Sequence, residues 1–202
     1  MKKIMFNDRY GLTQDVLEGH KTMTRRIIPI DLYNQTDWKA VAEGDFESVV
    51  DGEGYYHDIR NCGKYRVGEE VAIAQAYQTL RWPALPGIDW KAITDEVTHS
   101  KGWANKMFVK AEYMPHRIRI TGIKVERLHD ISEEDAIREG IRQSVIEYGN
   151  KKIVQWTYFG EKITTWFDSP REAFAALIDR ISGKGTWNRN PWVFAYTFEL
   201  IK

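Results

Sequence analysis

The clearest pattern of apolar and polar positions runs from Arg117 to Leu128, where the two kinds of residue alternate. Alternation with a period of two predicts a β-strand with one buried face, and its interruption at Gly122 predicts a bend or a tight junction between two strands. Apolar or β-branched runs of strand length also occur at Lys2–Phe6, Ile27–Ile30, Tyr65–Ala74 and Asn190–Leu200. The chain is therefore predicted to form several strands.

Three stretches predict short helices that end at a glycine: Asn7–Glu18 before Gly19, Ser132–Glu139 before Gly140, and Ser169–Ser182 before Gly183. The second begins with Ser132 as its N-cap, and Asp135 stands where the acid of a capping box would be. A carboxylate at the C-terminal end of a helix meets the unfavourable end of its dipole, so the position of Glu139 is not explained by the helix itself.

The segments between these elements have little periodicity and predict three insertions, at residues 31–64, 78–114 and 142–169. The third is expected to contain a hairpin around Asn150 or Gly160. Because long helices do not separate the strands, we predict an α+β fold in one domain spanning residues 1–202. Its centre would be a small, partly closed, mixed β-barrel with short flanking helices.

Composition narrows the class of protein. The charges of the 29 basic and 29 acidic residues cancel. A net charge of zero argues against a protein that binds long nucleic acid mainly through counterion release, but it leaves open the recognition of a single nucleotide. One cysteine, Cys62, excludes an internal disulfide and fits a reducing compartment. No apolar run approaches the roughly 20 residues of a membrane span, and a signal-peptide core is lacking, so we expect a cytoplasmic protein without a membrane partner.

Six consecutive residues, Lys21 to Arg26, contain three cations and two threonine hydroxyls. They lie between a predicted helix and a predicted strand, where side chains and free backbone N–H groups can converge on a ligand. A solvated basic turn would have the same composition. Alternatively, Lys21 three residues before Thr24, with arginines beside them, provides a base or electrophile, a hydroxyl nucleophile and an anion-binding group.

Motifs for other chemistry are absent from the sequence. There is no glycine-rich phosphate loop, no His-Glu-x-x-His and no Cys-x-x-Cys, and the five histidines have no metal-ligand spacing. We therefore expect no metal and no cofactor.

Five stretches of the chain together resemble the ASCH-domain family, relatives of the PUA RNA-binding fold. They are Phe6-Asn7 with Gly19–Arg26, Tyr65–Val71, Arg117–Leu128, Ile131–Gly140 and Asn190–Val193. The resemblance implies a β-barrel with a cleft near the first helix that can hold a nucleoside or nucleotide. Some small bacterial members are amidohydrolases that remove the acetyl group from N4-acetylcytidine, although this chain is about twice their length.

The resemblance also implies site residues. The catalytic set of those amidohydrolases is similar to Lys21, Thr24 and Glu139 here, with Arg26 matching their arginine. Thr24 would attack the acyl carbonyl, Lys21 would activate it with a pKa lowered by burial beside an arginine, and Glu139 would pass a proton to the leaving amine. The reverse assignment, with Lys21 stabilising the oxyanion and Glu139 as base, remains open.

Two other hypotheses remain open. The chain could be a non-catalytic module that binds RNA or a modified base, with phosphate contacts from Lys21, Arg25, Arg26 and Arg117 and with Trp192 stacking on the base. For the enzyme, Arg25, Arg26, Arg117 and Trp192 are the candidate substrate-binding residues. In the third hypothesis, Lys21 and Glu139 form only a structural ion pair that joins a turn to a helix.

Overall fold

The structure of the chain, a computed structural model, describes residues 1–80, 90–148, 151–159 and 165–201. These residues form nine strands: β1 (Lys3–Ile4), β2 (Met23–Ile27), β3 (Glu47–Val50), β4 (Tyr56–Asp58), β5 (Glu70–Ile73), β6 (Arg117–Arg127), β7 (Arg142–Tyr148), β8 (Lys151–Thr157) and β9 (Trp192–Ile201). They also form seven α-helices: α1 (Leu12–Leu17), α2 (Ile30–Asn34), α3 (Trp38–Ala42), α4 (Trp90–Thr98), α5 (Glu133–Arg138), α6 (Pro170–Ser182) and α7 (Thr186–Arg189). The fold is mixed α+β.

The centre is a five-stranded sheet in the spatial order β1–β5–β6–β9–β2. The β1–β5 pair is parallel and the other pairs are antiparallel. The barrel that we predicted to be partly closed is an open sheet in the described residues, because the edge strands β1 and β2 share no hydrogen-bond ladder. The strand β1 has only two residues. It is joined to β2 by a side-chain hydrogen bond, in which Arg26 Nη2 of β2 donates to the carbonyl of Met5, directly after β1, at 2.8 Å.

The long alternating strand is confirmed as β6, which pairs with β9 along its whole length. The register of that pair shifts between Ile120 and Gly122, so the predicted break is a bend within one strand. A side chain at Gly122 would meet Thr197 Oγ1 at 2.6 Å, which shows how closely the two strands approach there.

The strand predicted at Ile27–Ile30 is displaced. The observed β2 begins at Met23, so most of the basic cluster is itself strand, and Thr24 lies opposite Tyr196 of β9. Pro29 has no N–H to donate to a ladder and instead precedes α2 as its N-cap. The residues of the cluster are thus fixed by a sheet rather than carried on a turn.

The predicted helix Asn7–Glu18 is interrupted. A 3₁₀ turn spans Asp8–Tyr10, and α1 starts after Gly11, which has the left-handed φ of +64°. A Cβ at Gly11 would lie 2.7 Å from the ring of Phe159, so glycine is required both by the backbone and by this close approach.

The helices α5 and α6 have the predicted starts and stops. Ser132 Oγ accepts from the backbone N–H of Asp135, and Pro170 occupies the first turn of α6 behind the N-cap Ser169. The apolar stripe of α6 is buried against the sheet through Ala173, Phe174, Leu177 and Ile178.

The three insertions contain more regular structure than the sequence predicted. Residues 31–64 form most of α2, all of α3 and the β3–β4 hairpin, and residues 78–114 contain α4 and two 3₁₀ turns. Residues 142–169 form the antiparallel β7–β8 hairpin, with Tyr148 opposite Lys151. The predicted turn positions Asn150 and Gly160 themselves lie outside the described residues. The hairpin expected in the third insertion is confirmed, whereas the β3–β4 hairpin and the helices α2, α3 and α4 were not predicted from these weakly periodic segments.

Among the described residues, no helix combines the length and the apolar character that crossing a membrane requires.

Candidate functional site

The segment between α1 and β2 is held by backbone hydrogen bonds to two helices. The N–H groups of His20 and Lys21 both donate to the carbonyl of Asp15, at 2.8 and 3.0 Å. The N–H of Thr22 donates to the carbonyl of Arg138 at the end of α5, at 2.9 Å. Gly19 makes the turn possible with φ of +78°. Lys21 is therefore placed directly beside the C-terminal end of α5.

Glu139 stands at that C-terminal end and is paired with Lys21. Lys21 Nζ lies 2.5 Å from Glu139 Oε2 and also donates to the Glu139 backbone carbonyl at 2.7 Å. The two residues are only 2% and 4% exposed, so this is a buried ion pair between positions far apart in the sequence. A cation at the last carbonyl of a helix also complements the dipole, which removes the apparent misplacement of Glu139.

Arg25 joins the same group of charges from β2. Its guanidinium contacts Glu139 Oε1 at 3.2 Å, Asp135 Oδ2 at 3.1 Å and Glu126 Oε1 at 2.6 Å. The capping-box role predicted for Asp135 is wrong: Ser132 caps the backbone, while the carboxylate of Asp135 faces Arg25. Arg25, which we predicted to bind substrate, is 5% exposed and is occupied by these three carboxylates.

Sequence reasoning missed Asp135 and Glu126 as members of this group. The signal for Asp135 was available, because it lies four residues before Glu139 and so on the same side of α5. For Glu126 the alternation of β6 predicted a strand but not which partner its carboxylate would face.

Burial is the largest influence on the pKa of Lys21: it disfavours the ammonium and outweighs the attraction of Glu139, so the pKa is lowered from its ordinary value. Burial alone would raise the pKa of Glu139, but Lys21 and Arg25 lower it below its usual range. Burial likewise opposes the charge of Arg25, yet Glu139 and Glu126 raise its pKa. The site keeps Glu139 ionised while making Lys21 easier to deprotonate.

A cavity of about 150 Å³ opens onto this charged group, and we call it the Lys21 cavity. Its polar lining comes from Lys21, Thr24, Arg25, Arg26 and Glu139, and its apolar walls include Phe6, Leu12, Phe174, Leu177 and Ile178. The structure thus brings the three predicted catalytic residues to one cavity. The ion pair of the structural hypothesis is also present, but it faces this cavity and is not sealed in packing.

Thr24 is 4% exposed, and its hydroxyl makes no hydrogen bond with any residue in the described part of the chain. An ammonium has three N–H donors, and Glu139 accepts two from Lys21. Hydrogen-bonding capacity therefore remains at both residues for a molecule in the cavity.

Arg117 is not brought to this site. It pairs with Ile201 at one end of β6, whereas Thr24 lies opposite Tyr196, which pairs with Ile123. Six residues of strand separate Arg117 from Ile123, or about 20 Å at roughly 3.3 Å per residue.

Trp192 is not brought to the Lys21 cavity either. Its ring stacks on Trp38 with centroids 4.8 Å apart and planes inclined by 23°, and the Arg127 guanidinium lies 4.7 Å from the same ring. Trp38 belongs to the first insertion. The face of Trp192 that we predicted to stack on a base is therefore covered by a side chain of the same protein.

One group of potential metal ligands was also missed by the sequence analysis. Asp15, Glu18 and His20 place ligand atoms within 4.8 Å of one another, a spacing of three and then two residues at the end of α1. The guanidinium of Arg142 contacts all three, with Nη2 at 3.3 Å from Glu18 Oε2 and 3.0 Å from His20 Nδ1. The position that a cation would take is therefore filled by Arg142.

Removing Glu139 is expected to cost more stability than removing its partner. Glu139→Gln leaves Lys21 and Arg25 buried with one carboxylate fewer, and breaking a buried pair in this way costs about 3–5 kcal/mol of unfolding free energy. Lys21→Met should cost clearly less, because Arg25 still neutralises Glu139. Urea unfolding at neutral pH measures both variants. Equal losses of unfolding free energy in the two variants, or a loss under about 1 kcal/mol for Glu139→Gln, would contradict the conclusion that Lys21 and Arg25 share the carboxylate of Glu139.

Gly140→Ala is expected to destabilise the protein more than Gly183→Ala. Both glycines have nearly the same positive φ, +103° and +101°, so both substitutions strain the backbone by about 1–3 kcal/mol. Only the Cβ at Gly140 would also crowd the site, at 3.2 Å from Asp15 Oδ2 and 3.3 Å from Leu12 Cδ2, whereas Gly183 has open space. Unfolding curves that coincide for the two variants would show that the site tolerates displacement at Gly140.

Comparison with known proteins adds little to this description. No family model matches the chain. No curated protein matches it either. Among solved structures, the chain is similar to a high-resolution crystal structure of the ASCH domain from Lactobacillus crispatus JV V101, with 11% sequence identity and a TM-score of 0.34, over 96% of this chain and 75% of the other. A likeness at this TM-score carries no argument about fold, family or function.

Proposed function

We propose that the chain is an ASCH-type amidohydrolase that removes acyl groups from N4-acylated cytosine nucleosides, converting N4-acetylcytidine to cytidine. One observation carries the proposal: Lys21, Thr24 and Glu139 line a single cavity, although Glu139 is more than 100 residues from the other two. The sequence resemblance named the same three residues, together with the ASCH family, from motif positions alone.

The dimensions and the lining of the Lys21 cavity support a pyrimidine substrate. An apolar cavity of about 150 Å³ accepts a ring the size of benzene, so one pyrimidine ring fits the available space. Phe6 and Phe174 provide apolar walls for such a ring, and cations lie beside them: Lys21 Nζ and the Arg26 guanidinium are each 6.0 Å from the centre of the Phe6 ring, and the Arg25 guanidinium is 5.9 Å from that of Phe174. The exocyclic amide of an acylated cytosine would then face Lys21, Thr24 and Glu139.

In the first step, the Thr24 hydroxyl loses its proton to the neutral amine of Lys21 while its oxygen forms an ester bond with the acyl carbon. The lowered pKa of Lys21 supports its role as the base. As the bond from carbon to N4 breaks, Glu139 relays the proton from the Lys21 ammonium to the leaving amine. Their 2.5 Å contact provides the path for this transfer.

In the second step, water attacks the threonine ester and releases the carboxylic acid, which restores the Thr24 hydroxyl. Arg26 lines the same cavity, and among the described residues its guanidinium has one hydrogen-bond partner, the Met5 carbonyl. Its remaining N–H groups are available to stabilise the oxyanion of both steps. Arg25 acts differently, since it holds Glu139 in place and keeps it ionised.

Thr24→Ala is expected to lower kcat for release of cytidine from N4-acetylcytidine by at least about 1000-fold, because it removes the nucleophile. Thr22→Ala is the matched control, since Thr22 belongs to the same segment, does not line the cavity and has a hydroxyl that accepts from Arg138 Nε. Lys21→Arg should also be inactive at every pH tested, because a guanidinium does not deprotonate. Chromatography of reaction mixtures measures cytidine directly.

Absence of turnover by the unmodified protein, or turnover equal in Thr24→Ala and Thr22→Ala, would overturn the proposal. Binding of short RNAs with a clear salt dependence and no hydrolysis would instead favour the non-catalytic module.

A further inference from the structure

A second cavity, of about 290 Å³, adjoins the Lys21 cavity and shares Met5, Arg26 and Ile27 with it. Its remaining lining is Lys3, Pro29, Cys62, Lys64, Tyr65, Phe194 and Tyr196. The shared residues come from the two edge strands of the sheet: Met5 directly follows β1, and Arg26 and Ile27 belong to β2, which forms no ladder with β1. The gap that leaves the sheet open therefore lies between the two cavities.

The charge of this second cavity is positive without compensation. Lys3, Arg26 and Lys64 line it, and no aspartate or glutamate does. Within the described part of the chain, none of these three cations forms an ion pair, although Lys3 Nζ donates to the carbonyls of Met107 and Val109, at 2.7 and 2.5 Å, and so has one N–H left for a ligand. Burial and the nearby charge of Lys64 both lower the pKa of Lys3, as expected where two cations face one space without an anion. We call it the cationic cavity.

The Lys21 cavity, of about 150 Å³, is comparable in volume to one ring and is partly open, so we place the sugar of a bound nucleoside beyond it. Arg26 stands at the boundary, with its Nη2 held on the Met5 carbonyl and its other N–H groups free to reach either side. The group that extends past Arg26 would enter a space lined by two lysines. A phosphate is the part of a nucleotide that such a space favours.

We propose that the cationic cavity binds the phosphate of a cytosine nucleotide whose base lies in the Lys21 cavity. The preferred substrate is then a phosphorylated N4-acylcytidine, with Lys3, Arg26 and Lys64 as the phosphate ligands. This inference rests on the proposed function for the identity of the base, but the phosphate site itself depends only on the charges and the shared wall of the two cavities.

Binding of cytidine monophosphate and of cytidine, measured by calorimetry at low salt, tests the phosphate site without any reaction. We expect the 5′- or the 3′-phosphate to bind at least about tenfold more tightly than cytidine, with inorganic phosphate as a competitor. Lys64→Glu, at an exposed side chain, should weaken nucleotide binding about five- to tenfold and leave cytidine binding unchanged. Lys39→Glu on α3 makes the same charge change at an exposed lysine outside both cavities and should have little effect.

Equal affinity for nucleotide and nucleoside, or equal losses from Lys64→Glu and Lys39→Glu, would overturn the phosphate site. Hydrolysis assays with N4-acetylcytidine and its monophosphate separate the two proposals. If N4-acetylcytidine is cleaved and its monophosphate is cleaved no faster, the proposed function stands and the phosphate site is overturned. If the phosphate strengthens binding in a way that depends on Lys64, but neither compound is cleaved, the phosphate site stands and the proposed function is overturned.

Discussion

The carboxylate of Glu139, buried between Lys21 and Arg25, is the interaction on which the arrangement of the site depends. A carboxylate removed from water is costly unless its charge is compensated and its oxygens accept hydrogen bonds. Both conditions are met by side chains of one short segment, Lys21 beside α5 and Arg25 in β2. Folding therefore has to bring the end of α5 to the start of β2, and the cavity lies where they meet.

The same ion pair is compatible with a stable fold and with the proposed reactivity of Lys21. Lys21 is the stronger influence that lowers the pKa of Glu139, but Arg25 also contacts Glu139 and lowers its pKa, so part of the compensation remains when Lys21 is neutral. Burial lowers the pKa of Lys21 despite the contact with Glu139, which is what a lysine base requires. Thr24, one residue before Arg25, is fixed in the sheet by its position opposite Tyr196. Thr24 is thus placed by a strand, Glu139 by the end of a helix, and Lys21 by the short connecting segment that is hydrogen-bonded to Asp15.

Local signals in the sequence predicted the elements that depend on local rules. The sequence correctly indicated the alternation and the glycine of β6, the serine N-cap of α5 and the apolar stripe of α6. It also showed that the helix dipole does not explain the carboxylate of Glu139. Some errors are local, such as the strand displaced to end before Pro29 and the helix interrupted at Gly11, and the others concern contacts between distant segments. Trp192 is covered by Trp38 from an insertion whose packing no local pattern reveals, and Arg117 lies at the wrong end of a correctly predicted strand. The barrel that we predicted to be partly closed is an open five-stranded sheet in the described residues, in which β1 and β2 form no ladder.

The charge state of Lys21 is the point at which the description of the site can be tested most directly. Nuclear magnetic resonance of ¹⁵N-labelled lysine side chains, with the Lys21 signal assigned by its loss in Lys21→Arg, follows the amine as the pH is raised. Because burial outweighs the attraction of Glu139, we predict a titration midpoint below the ordinary value of 10.5. A midpoint at or above 10.5 would mean that the ion pair dominates, that Lys21 remains an ammonium, and that it cannot be the base of this site.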